Sequence, residues 1–127
     1  MNEKILEVVE RFIKTPDLIE ETAAASGEYY FRSKGHYFSI LKRNERTLGK
    51  SKYGTYTFYI YPKWDNSLQH LAEVASVDEE GITSVAFHES ELPVGLTDPL
   101  QDLYETVKGK YANIDHILDD ILDEPSF

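Results

Sequence analysis

Glu28-Tyr29-Tyr30-Phe31-Arg32-Ser33-Lys34-Gly35-His36-Tyr37-Phe38-Ser39-Ile40-Leu41-Lys42-Arg43 is the stretch on which the fold turns. Two runs rich in aromatic residues flank Ser33-Lys34-Gly35, and a glycine that accepts positive φ closes a tight turn between them. The segment reads as a β-hairpin. Residues 44–52 then form a polar loop, and residues 53–61 make a further strand rich in aromatic and β-branched side chains, stopped by Pro62. Alternation along that strand assigns Tyr56, Phe58 and Ile60 to the core face. It assigns Tyr53, Thr55, Thr57, Tyr59 and Tyr61 to an amphipathic outer face.

Residues 68–77 fit two periods. Leu68, Leu71, Val74 and Ala75 suit a helix, whereas Leu71, Glu73, Ala75 and Val77 alternate as in a strand. Asp78-Glu79-Glu80-Gly81 has the composition of a hairpin turn into a strand over residues 82–88, and such a turn needs a strand before it. The reading is therefore a hairpin.

Helices bracket this sheet. Ile5, Val8, Val9, Phe12 and Ile13 fall on one stripe at helical spacing. Thr15-Pro16-Asp17 carries the signals of a second helix start, with Leu18, Ile19, Thr22 and Ala23 continuing to about Ser26 and Gly27 as the C-terminal cap. Asp98-Pro99 opens another helix with Leu100, Leu103, Tyr104, Val107 and Tyr111 on one side. Asn113 caps a last one carrying Ile114, Ile117, Leu118, Ile121 and Leu122. The expectation is a single α+β domain over residues 1–127. It has N-terminal helices, a central four- to five-stranded antiparallel meander, and C-terminal helices packed on one face. Phe12, Phe58 and Leu103 are expected in its core.

With 127 residues and 41% hydrophobic side chains the chain can enclose a core of its own. It has no cysteine, which excludes disulfides and thiolate metal ligands and fits a reducing compartment. The first residues lack a basic start followed by an apolar run, and no stretch approaches the roughly 18 apolar residues of a membrane helix. A cytoplasmic protein that does not engage membranes is the expectation.

The net charge of −10 opposes polyanionic partners, but it is unevenly placed. Residues 29–63 hold Arg32, Lys34, Lys42, Arg43, Arg46, Lys50, Lys52 and Lys63 against the single acid Glu45, a net of +7, which leaves −17 on the rest. Eleven of the sixteen aromatic residues lie in residues 29–64 as well. Cations beside exposed rings suit single-stranded nucleic acid, with charge for phosphates and rings for base stacking. They equally suit an acidic partner protein. The plain structural account is that half the rings face the core and the cations balance the protein's own acids.

Signals for catalysis are sparse. There is no Gly-x-Ser-x-Gly and no glycine-rich phosphate loop, and Ser39 sits mid-strand between Phe38 and Ile40. His88 with Glu89 and Glu91, and His116 with Asp119, Asp120 and Asp123, are the nearest approaches to metal-ligand spacing. Both patterns arise readily on a solvated acidic face, so neither a metal nor a cofactor is expected. The composition points to a non-catalytic binding or regulatory module working through protein–protein contacts, with a protein partner or self-association. Tyr53, Tyr59 and Tyr61 are its expected anchors, and Arg43 and Arg46 its charged rim. The second reading is nucleotide or single-stranded nucleic-acid binding on the same sheet. The third is a small metal- or carboxylate-dependent hydrolase.

Overall fold

The computed structural model describes residues 2–42, 55–75, 82–89, 99–112 and 120–122. Helix α1 (Asn2–Lys14) opens the chain, with Glu3 in its first turn and Arg11 and Lys14 in its last, each complementing the helix dipole. Ile5, Val9 and Phe12 of the expected stripe are buried along it, and Leu6, outside that stripe, is buried as well. Five strands follow in a sheet ordered as in sequence: β1 (Glu21–Ala25), β2 (Glu28–Ser33), β3 (His36–Lys42), β4 (Tyr56–Tyr61) and β5 (Val85–His88). Every neighbouring pair is antiparallel. Helix α2 (Leu68–Ala75) connects β4 to β5 and helix α3 (Pro99–Ala112) follows, an α+β architecture.

The two sheet faces bury different chemistry. Phe31, Phe38 and Phe58 stack on one face, with centroids 5.2 Å apart for Phe31–Phe38 and 5.8 Å for Phe38–Phe58. Phe12 of α1 meets them edge-on, 5.2 Å from Phe31. Leu100, Leu103, Tyr104 and Val107 of α3 complete this core. The expected core residues Phe12, Phe58 and Leu103 are all buried in it. On the opposite face, Leu68, Leu71, Ala72 and Ala75 of α2 cover Ala23, Tyr30 and Tyr61.

Three expectations are corrected. The second N-terminal helix is only a 3-10 turn (Pro16–Leu18), and the alanine-rich run after it is strand β1. Gly27 has φ of +80° and Ser26 +53°, so the pair forms the two-residue turn of a hairpin rather than a helix cap. Positive φ at both central residues fits the twist of adjoining strands, and Lys34-Gly35 repeats the device between β2 and β3. A left-handed glycine ends helices and joins strands alike, so the glycine itself does not distinguish the expected cap from the observed turn. Pairing to β2 outweighed the helix propensity of Ala23-Ala24-Ala25.

The second correction is α2, which replaces the hairpin expected over residues 68–77. Ser67 caps it, its Oγ accepting from the His70 N–H at 3.1 Å. Strand β5 pairs with β4 instead, and residues 76–81, the expected turn among them, lie outside the described residues. The third follows directly: helices cover both faces, with α2 on the side read as the sheet's outer one. Residues 43–54, and with them the polar loop, lie outside the described part, as do 113–119 and 123–127 of the last helix read from sequence. Among the described residues no helix is long and apolar enough to cross a membrane.

Candidate functional site

Tyr61 is buried beneath α2, and Tyr59 beside it is half-buried against the same cluster, the two rings stacked at 6.3 Å. The anchors expected on an open face are thus packed away, because α2 occupies that face. Tyr53, Arg43 and Arg46 lie outside the described residues. Two other basic residues of the segment are accounted for within the fold. Arg32 Nε lies 3.3 Å from Glu21 Oε2, and the Lys42 ammonium stands 6.0 Å and 5.8 Å from the ring centres of Tyr56 and Tyr104.

Under α2 lies a polar cluster. Glu28 receives the Ser39 hydroxyl on Oε2 and the Tyr30 hydroxyl on Oε1 at 3.1 Å. The Tyr61 hydroxyl reaches both Ser39 Oγ, at 2.8 Å, and Glu28 Oε2, at 3.3 Å. Burial, reinforced by the Glu28 charge, holds the Tyr61 hydroxyl well above its ordinary value. The cavity beside it, lined by Glu28, Tyr59, Tyr61 and Ala75, has a volume of about 50 Å³. Ser39 is fully buried, so its hydroxyl serves the interior of the sheet.

His88 and His70 are also engaged within the fold. His88 Nδ1 shares a 2.9 Å hydrogen bond with Thr57 Oγ1, and Glu89 accepts from the Thr55 and Tyr56 N–H groups at 2.7 Å and 3.2 Å. His70 stacks on Trp64. Among the described residues no three His, Asp or Glu side chains converge as metal ligands would. His116 and Asp119 lie outside them.

A larger concavity lies between α1 and the β2–β3 turn. It encloses about 410 Å³, within the usual size of ligand clefts. Val8, Phe12, Leu18 and Phe38 contribute its apolar surface, and Lys4, Arg11 and Lys34 its cations, with Glu7 the one acid among the described residues. Lys4, Val8 and Arg11 follow one another at i, i+4 and i+7, so a single helix stripe carries both apolar and basic contributions. The opposite wall is tied down, because the Lys34 N–H donates to Glu20 Oε1 at 3.0 Å and the Glu20 N–H to the Arg32 carbonyl at 2.9 Å.

Among the described residues, no carboxylate lies within ion-pair distance of Lys4, Arg11 or Lys34. A protein of net charge −10 therefore holds an apolar cleft whose lining, among the described residues, is net positive. Counting charge along the sequence missed this site, because Lys4 and Arg11 belong to the part of the chain that sums to −17. The signal was the basic pair flanking Val8 at helical spacing. No protein-family model matches the chain, and neither a curated protein nor a solved structure matches it.

Proposed function

We propose that the protein is a non-catalytic binding module of the cytoplasm that acts through protein–protein contacts, docking an acidic, apolar segment in the cleft between α1 and the β2–β3 turn. The observation that carries this reading is the conjunction of an apolar surface with three cations that have no carboxylate partner among the described residues. An apolar side chain entering the cleft sheds water, and flanking carboxylates meet Lys4, Arg11 and Lys34. Coulombic steering speeds such encounters, while the buried apolar contact supplies most of the affinity. The nucleic-acid reading is less favoured because Tyr59 and Tyr61, the rings it would use for stacking, pack against α2. The hydrolase reading is less favoured because Ser39 and Glu28 spend their hydrogen bonds on each other and on Tyr61.

The test is titration of isotope-labelled protein, followed by amide resonances, with an acetylated Asp-Leu-Asp-Asp-Phe-Asp peptide and its lysine-for-aspartate counterpart. The acidic peptide is expected to shift Val8, Arg11, Lys34 and Phe38, and the shifts weaken with salt. Equal response to the basic peptide, or no response to either at low salt, overturns the reading. Saturable, salt-sensitive binding of a mixed-sequence single-stranded oligonucleotide in their place promotes the nucleic-acid alternative.

A further inference from the structure

We infer that the segment docked in this cleft is residues 114–122 of a second copy of the chain, so that two copies exchange these segments reciprocally. The inference rests on the cleft's being a docking surface and names its occupant. Residues 120–122 are helical, and Ile121 and Leu122 are 65% and 79% exposed, a pair of adjacent aliphatic side chains turned to solvent. In sequence they continue a repeat of Ile114, Ile117 and Leu118 at helical spacing, interleaved with Asp115, Asp119, Asp120, Asp123 and Glu124. Apolar anchors every three or four residues, bordered by carboxylates, are the chemistry that the cleft complements with Val8, Phe12 and Phe38 beside Lys4, Arg11 and Lys34.

Placement favours exchange between copies. Tyr111, in the last turn of α3, packs on Tyr29 at 5.5 Å. Tyr29 lies near the start of β2, and Ser33, which lines the cleft, is its last residue, roughly 13 Å away at the usual rise per strand residue. Helix α3 therefore ends at the end of the sheet opposite the cleft. Reciprocal exchange fills two clefts with two segments and closes on a two-fold axis, leaving no unsatisfied copy of either surface to drive further growth.

Sedimentation equilibrium of the full chain at low salt, over a range of concentrations, tests this. The wild type is expected to dimerise. Arg11→Glu with Lys34→Glu in the cleft, or Asp119→Lys with Asp123→Lys in the segment, is expected to weaken self-association by about tenfold or more, with circular dichroism verifying that each remains folded. Mixing the two reversed chains restores complementarity in both arms, so heterodimers are expected where neither chain dimerises alone. This readout is independent of any single variant's stability. A wild type that stays monomeric at every concentration overturns the inference, whether its cleft is empty or filled by its own segment. So does a dimer that both reversed chains retain. Binding of the acidic hexapeptide to a monomeric wild type leaves the docking reading standing, whereas failure of both removes the two together.

Discussion

Ser39 Oγ lies 2.8 Å from the Tyr61 hydroxyl, joining neighbouring strands β3 and β4 on the face that α2 covers. Both hydroxyls also reach Glu28 at the start of β2, so one carboxylate ties three strands together. Polar groups withdrawn from water in this way are stable only while each keeps a partner. Glu28→Ala removes the acceptor shared by the hydroxyls of Tyr30, Ser39 and Tyr61, and is expected to cost about 1–3 kcal/mol in urea denaturation. Ser39→Ala combined with Tyr61→Phe should cost less than the sum of the two single changes, because each alone already removes the hydrogen bond the two hydroxyls share. Additive single changes would mean that the hydroxyls act independently.

The same hydroxyl makes stability depend on alkaline pH. In the unfolded chain Tyr61 ionises near the ordinary tyrosine value of about 10, whereas burial and the adjacent Glu28 keep it protonated in the folded state well above that. The native state then binds the extra proton, so its contribution is fully present below pH ~10 and is lost as pH rises beyond it, by about 1.4 kcal/mol per pH unit. Tyr104, also raised chiefly by burial, adds in the same direction. Urea midpoints measured from pH 9 upward should fall less steeply in Tyr61→Phe than in the wild type. Equal slopes would show that the folded state releases that proton as readily as the unfolded chain.

Gly27 and Gly35 carry the two hairpin turns with φ near +80°, and a Cβ at either position meets nothing within 4 Å. The cost of an alanine there is therefore conformational alone, about 1–2 kcal/mol for holding an L side chain in the left-handed region. Gly27→Ala and Gly35→Ala should each shift the denaturation midpoint by that amount without changing the slope. A near-zero effect would place the turns in another conformation.

What was legible in the sequence followed from periods with one interpretation. The Ile5-to-Ile13 stripe, the β2–β3 hairpin and the Leu100-to-Val107 stripe each match a single template, and each is where the pattern places it. The failures share a cause. Ala23-Ala24-Ala25 and Leu71-Ala72-Glu73-Val74-Ala75 are short runs whose residues suit either element, and pairing with β2 decides the first while packing over Tyr30 and Tyr61 decides the second. The second face of β4, expected to be an outer one, is covered in consequence. Alternation correctly separated Phe58 from Tyr59 and Tyr61, yet nothing in the strand itself says whether the second face meets solvent or a helix. The cleft was invisible for a further reason: its walls come from residues 4–18 and 33–38, and only the fold brings Arg11 and Lys34 to one concavity.

Helix α2 is thus the element that converts an aromatic sheet face into a core, and loosening it should bring back the open face read from sequence. Leu71 is fully buried on Tyr30, Tyr61 and their neighbours, so Leu71→Ala should cost about 2–5 kcal/mol. Ser67 caps the helix through the His70 N–H, and its carbonyl also accepts from the Trp64 indole at 3.0 Å. Ser67→Ala removes only the hydroxyl and should cost about 0.5–2 kcal/mol. The helix has just eight residues, too few to persist in water without packing, so these losses should fall first on α2 and not on the sheet. Hydrogen exchange can separate the two. Amides of residues 68–75 should lose protection in Ser67→Ala and Leu71→Ala while those of β2 and β3 keep theirs up to the global limit. If the oligonucleotide then binds Leu71→Ala but not the wild type, α2 acts as the cover that withholds the aromatic face from bases. If protection falls uniformly across helix and sheet, α2 is an inseparable part of one cooperative core.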